Sequence, residues 1–117
     1  MLSVIKLVNV HYRGEKGNEK VQFQTLFDTT TNIKTFNVIT DGELKEVKQE
    51  EGNEVFRRLK QEHDTKVITI IDVNNESITY FRIMEHFEVR IGNDFYCTCD
   101  NIEEVRDVVK ELKEKLE

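Results

Sequence analysis

Apolar and polar positions alternate along most of this chain, and near its end the period changes. The strand-like run Phe95-Tyr-Cys-Thr-Cys99 stops at Asp100, after which Ile102, Val105, Val108, Val109, Leu112 and Leu116 recur at the spacing of one helical face. Asp100 and Asn101 each stand three residues ahead of a glutamate, as in a capping box that satisfies the free N–H groups of a first turn. The pattern predicts a strand over 95–99 leading directly into an amphipathic C-terminal helix.

Upstream, residues 2–13 read as a first strand with Val4, Val8, Val10 and Tyr12 on one parity and Ile5 and Leu7 on the other, hence covered on both faces. The loop Gly14–Asn18 breaks the run. Val21, Phe23, Thr25 and Phe27 then alternate with Gln22, Gln24 and Asp28, a strand with one wet face. A turn over 28–32 leads to a strand at 33–40. Asp41-Gly42 is a type I′ hairpin signal, because both central positions of that turn need positive φ. A fourth strand over 43–49 follows, the competing reading being a helical turn through Leu44 and Val47.

Asn53 is a candidate cap for a short helix burying Val55, Phe56 and Leu59 and ending near His63, with Arg57, Arg58 and Lys60 opposite. The β-branched run 66–73, a turn at Asn74-Asn75 and a long alternation over 76–91, bent near Glu85, come next. Gly92-Asn93 closes a last hairpin. The predicted fold is α+β, mostly antiparallel, approximately ββββα-ββββα, as a single domain over 1–117 with the C-terminal helix packed on the sheet. The first and fifth runs are apolar on both parities and call for two covering layers, from two helices or from one helix and a second subunit. A homodimer is one expected assembly. The element order resembles the tandem four-strand-plus-helix arrangement of Whirly-type single-strand DNA binders, a likeness of topology in which no residue motif takes part.

Composition narrows the partners. The chain of 117 residues contains no Ala or Pro and is rich in Lys, Glu, Asn, Ile and Val, which suits the AT-rich genes of low-GC bacteria and their phages and mobile elements. No apolar run reaches the ~18 residues of a membrane span, and the opening Met-Leu-Ser-Val-Ile-Lys lacks signal-peptide segments, so a cytoplasmic location is expected. Asn75-Glu76-Ser77 matches a glycosylation sequon that this location leaves without use. The net charge of −6 is concentrated: residues 41–51 hold five acids against two lysines, and residues 100–117 hold seven acids against four bases. That distribution disfavours duplex DNA and leaves a basic partner open, with Glu43, Glu46, Glu50 and Glu51 as the acidic partner surface.

Candidate chemistry is sparse. Cys97 and Cys99 share a strand face and, as metal ligands, would need His11, His63 or His86. No second ligand pair at short spacing exists, so buried thiols, no metal and no cofactor are expected. Ser3 and Ser77 lie outside any nucleophile elbow, and Arg13–Lys20 lacks the Gly-Lys-Ser/Thr of a phosphate-binding loop and reads as a hairpin. The even positions Ile78, Tyr80, Arg82, Met84, His86, Glu88 and Arg90 read as one face of large, polar-tipped side chains. Of these, Tyr80, Arg82, Met84, His86 and Arg90 form the candidate ligand- or partner-binding set, against the alternative of an ordinary charged outer face. The reading favoured by these features is a small acidic, non-enzymatic protein acting by protein–protein contact, such as a phage or mobile-element inhibitor or accessory factor. A nucleotide- or single-strand-binding module using Tyr80, Arg82, His86 and Arg90 is the alternative. A small enzyme with an unrecognised site is the third.

Overall fold

The computed structural model describes residues 1–73 and 76–116. The elements are β1 (Leu2–Gly14), β2 (Gly17–Asp28), β3 (Ile33–Thr40), β4 (Glu43–Val47), α1 (Gln49–Glu62), β5 (Thr65–Val73), β6 (Glu76–Ile83), β7 (His86–Ile91), β8 (Asp94–Cys99) and α2 (Ile102–Leu116). This is the ββββα-ββββα order that the alternation predicts, and every described strand pairing is antiparallel. The chain's contacts divide it into two compact units, residues 1–67 and 68–117. The turn expected at Asn74-Asn75, with the sequon's asparagine, lies outside the described residues.

In the first unit the strands follow the order β4-β3-β2-β1. Residues directly opposite one another in an antiparallel pair share a face. Val8, Val10 and Tyr12 therefore join Val21 and Phe23 of β2 and Phe36 and Val38 of β3 on one apolar side. Val10, Val21 and Val38 are its buried centre. A bulge at Ile5 shifts the register between Val4 and Lys6, so Val4 pairs with Leu26 and lies on the face opposite Val8, not beside it as a simple parity count places it. The Arg13–Lys20 segment is a hairpin, with Gly14 opposite Gly17. Asp41 (φ 52°) and Gly42 (φ 78°) close β3 onto β4 with positive φ at both central positions, as their sequence requires.

Helix α1 departs from expectation at its start. It begins at Gln49, with Lys48 as an N-cap that makes no side-chain capping bond, and Asn53 lies inside the helix instead of capping it. The fourth strand accordingly ends at Val47. Glu50 and Glu51 occupy the first turn, where carboxylates interact favourably with the helix dipole. The helix rests on β3 and on the apolar side of the sheet, the Phe56 ring meeting Phe23 edge-on at 5.7 Å between centroids. On its outer side, Glu54 holds Arg57 (Nε donating at 3.2 Å) and lies 3.8 Å from Arg58. The guanidinium of Arg57 lowers the Glu54 carboxyl below its usual range.

The second unit has its core between the sheet and α2. Ile78, Val89, Cys99, Val105, Val109 and Leu112 are buried together, with Ile71, Tyr80, Phe87, Ile91, Cys97, Ile102, Val108 and Leu116 packed around them. The stripe read from the sequence is thus the helix's buried side. Asn101 Oδ1 accepts the backbone N–H of Glu104 at 2.9 Å, and Glu104 Oε2 accepts that of Asp100 at 2.9 Å, so both candidate cap residues take part in closing the first turn.

Candidate functional site

The long alternation over 76–91 is two strands, not one bent strand. β6 and β7 form a hairpin in which Ile83 pairs with His86 across Met84 and Glu85, and Met84 has φ 55°. A hairpin of this length reverses the parity rule. Ile78, Tyr80 and Arg82 stand opposite Ile91, Val89 and Phe87, on the face that α2 covers; Thr79, Phe81 and Ile83 stand opposite Arg90, Glu88 and His86, on the other face. The single even-numbered face expected from the sequence is therefore not formed. Tyr80 is half-buried beneath α2, and Arg82 is exposed at the hairpin end with its Nε donating to the Met84 carbonyl at 3.0 Å. Met84 projects from the turn at 87% exposure, while His86 and Arg90 lie on the opposite side.

Arg82 and Arg90 are accordingly not cross-strand neighbours and need no anion between them. The nearest carboxylate to Arg90 is on its own strand: Nε donates to Glu88 Oε2, and Nη1 donates to the Asn93 carbonyl at 3.5 Å.

What the hairpins do assemble is a different surface at β8. Gly92 (φ 58°) turns β7 into β8, and a register shift between Val89 and Arg90 leaves Tyr96 as an extra residue in β8, a bulge. Phe95 pairs with Arg90, so an exposed ring and a guanidinium lie side by side on the face away from α2. Phe95 is 59% and Tyr96 40% exposed, whereas Cys97 and Cys99 on the same strand turn inward under α2. The sequence pattern predicts the strand over 95–99, but within it only the cysteines stand out as candidate chemistry. Its signal was the absence of any polar partner pattern around two adjacent aromatic residues.

Both thiols are free, Cys97 half-buried and Cys99 buried. Cys99 is buried, and burial, with Cys97 next in effect, pushes its pKa from 9.0 up to about 11. Among the described residues, no group of three or more His, Cys, Asp or Glu is placed to hold a metal ion.

Three further constellations lie in the first unit. The Tyr12 and His63 rings stack at 4.5 Å, and burial followed by the neighbouring Glu19 raises the Tyr12 pKa. An open groove of about 500 Å³ is lined by Lys34, Phe36, Glu46, Val47, Lys48 and Glu51, with both charge signs on its rim. On the face away from α1, four amides form a hydrogen-bonded row: Asn37 Nδ2 donates to Gln24 Oε1 (3.5 Å), Gln24 Nε2 to Gln22 Oε1 (3.3 Å), and Gln22 Nε2 to Asn9 Oδ1 (2.8 Å). The expected acidic surface is divided: Glu43 and Glu46 lie on opposite faces of β4, and Glu50 and Glu51 belong to the first turn of α1, all four exposed.

Among the described residues, no helix is long and apolar enough to cross a membrane. No known protein family, curated protein or solved structure matches the chain.

Proposed function

We propose that this is a non-enzymatic binding protein that acts by protein–protein contact, with the Phe95-Tyr96 end of β8 as its contact surface. The observation that carries the reading is the pair of exposed aromatic residues on an outer strand, one of them beside Arg90. Aromatic and arginine side chains supply large contact area at little entropic cost and dominate protein interfaces. The acidic segments add long-range attraction toward a basic partner, acting on encounter more than on final affinity.

The test is photocrosslinking from a benzophenone side chain at position 95 in an extract of the cells that make the protein. One predominant protein adduct is expected, lost in the Tyr96→Ser, Arg90→Ala variant. Adducts only to nucleic acid would favour the alternative, in which Phe95 stacks a base beside Arg90. Adducts spread over many proteins and unchanged in the variant would remove the surface from consideration.

A further inference from the structure

We infer that β8 receives an extended segment of a partner protein as an added strand, and that this segment carries basic residues at both of its ends. The inference rests on the reading of Phe95 and Tyr96 as a protein contact and specifies what they contact. β8 is the last strand of its sheet and, among the described residues, pairs with β7 alone, which leaves one side of its backbone without a strand partner. The outer strand of the first unit, β4, presents such an edge too, but carries Glu43, Lys45 and Glu46 within five residues, the charges with which proteins block edge pairing. From Phe95 to Cys99, β8 has none. The two edges thus differ in the feature that decides whether a foreign strand is rejected.

Charge selects the occupant. Asp94 and Asp100 are both exposed and bracket the uncharged stretch, with Glu103 and Glu104 following in the first turn of α2. A second copy of the chain is a poor occupant: antiparallel self-pairing centred on Cys97 sets each Asp94 opposite an Asp100, and parallel pairing sets like against like. Directly opposed like charges destabilise a strand pair. A segment with Lys or Arg at its two ends instead completes a favourable pair at each. The bulge at Tyr96 shortens the straight part of β8, so the incoming strand is short, about five residues, close to the usual strand length. Backbone pairing along Cys97–Cys99 gives it direction, and the exposed Phe95, Tyr96 and Thr98 side chains give it contacts.

The experiment uses the whole protein and three capped peptides: Arg-Val-Thr-Val-Thr-Arg, the same core ended by Glu, and the arginine peptide N-methylated at alternate amides. Residue-by-residue amide exchange by NMR locates any binding. The arginine-ended peptide is expected to slow exchange within 95–98, while the Glu-ended peptide binds about tenfold more weakly, as two exposed charge pairs allow. N-methylation should abolish the protection, and an Asp94→Asn, Asp100→Asn variant should no longer distinguish the charged ends. Equal binding of both charge types, protection located elsewhere, or no binding at about 1 mM peptide overturns the inference. Protection of β8 by raising the protein concentration alone overturns it in favour of self-pairing. If position 95 still crosslinks to a protein while none of the peptides binds, the contact is made by side chains without an added strand: the inference fails and the functional reading stands.

Discussion

Phe56 of α1 meets Phe23 of β2 edge-on, with 5.7 Å between ring centroids. No residue of α1 is fully buried. Phe56→Ala should cost about 2 kcal/mol, below the range for a fully buried phenylalanine because the ring is half-exposed. Amide exchange should show α1 opening before the sheet it rests on. A variant in which helix and sheet still exchange together would show that α1 is held by more than this ring.

Helix α2 is anchored differently, by three buried residues and a closed first turn. Asn101→Ala should lower stability by about 1 kcal/mol through loss of the capping bond. Val109→Asp should cost several kcal/mol, because it introduces an unpaired carboxylate among Ile78, Val89 and Val105. Chemical denaturation of the two variants measures both, and near-parental midpoints would make α2 peripheral.

Met84 adopts positive φ at full exposure, a conformation that a side chain disfavours, and no buried contact compensates it. Met84→Gly should therefore stabilise the protein by about 0.5–1 kcal/mol, net of the greater freedom that glycine has when unfolded. A thermal melt that falls instead would show that the turn depends on the methionine side chain.

The Cys99 thiol holds its proton longer folded than unfolded. Between its ordinary value of 9.0 and about 11, the folded state binds more protons, so stability falls as pH rises through that interval and is fully present below it. Tyr12, also raised, adds a fall of the same sign above pH 10. Denaturation curves at a series of alkaline pH values should show a shallower decline for Cys99→Ala than for the parent, whatever the cavity costs at neutral pH.

Glu50 and Glu51 stand in the first turn of a helix that lacks a side-chain cap. Glu50→Gln with Glu51→Gln should lower stability by about 0.5–1 kcal/mol at low salt, and less in high salt. Glu43→Gln and Glu46→Gln, on β4, should have no such effect. Urea titrations at two ionic strengths distinguish the pairs.

The features that the sequence declared were those with strong local chemistry. Asp41-Gly42 and Gly92-Asn93 demand tight turns, and the 102–116 stripe has one period and one cap. The hairpin at Met84-Glu85 was hidden because neither residue favours positive φ and because alternation continues on both sides of it. Counting parity through that turn joined Tyr80 and Arg82 to His86 and Arg90, which the two strands place on opposite faces. The start of α1 was hidden for a similar reason: Lys48 is no capping residue, and Asn53 looked like one. The Tyr12–His63 stack and the bulges at Ile5 and Tyr96 depend on pairing between distant residues, which no local pattern records.

An alternating apolar pattern repeats every two residues, so it cannot by itself distinguish a strand pairing from the same pairing slid by two positions. The amide row removes that degeneracy. If β1 slides by two along β2, Asn9 faces either Lys20 or Gln24, while Gln22 faces Leu7 or His11; neither arrangement preserves the observed sequence of donors running from Asn37 through Gln24 and Gln22 to Asn9. The apolar side of the first unit determines which residues face inward. Its polar side acts as a vernier that fixes how far each strand has travelled.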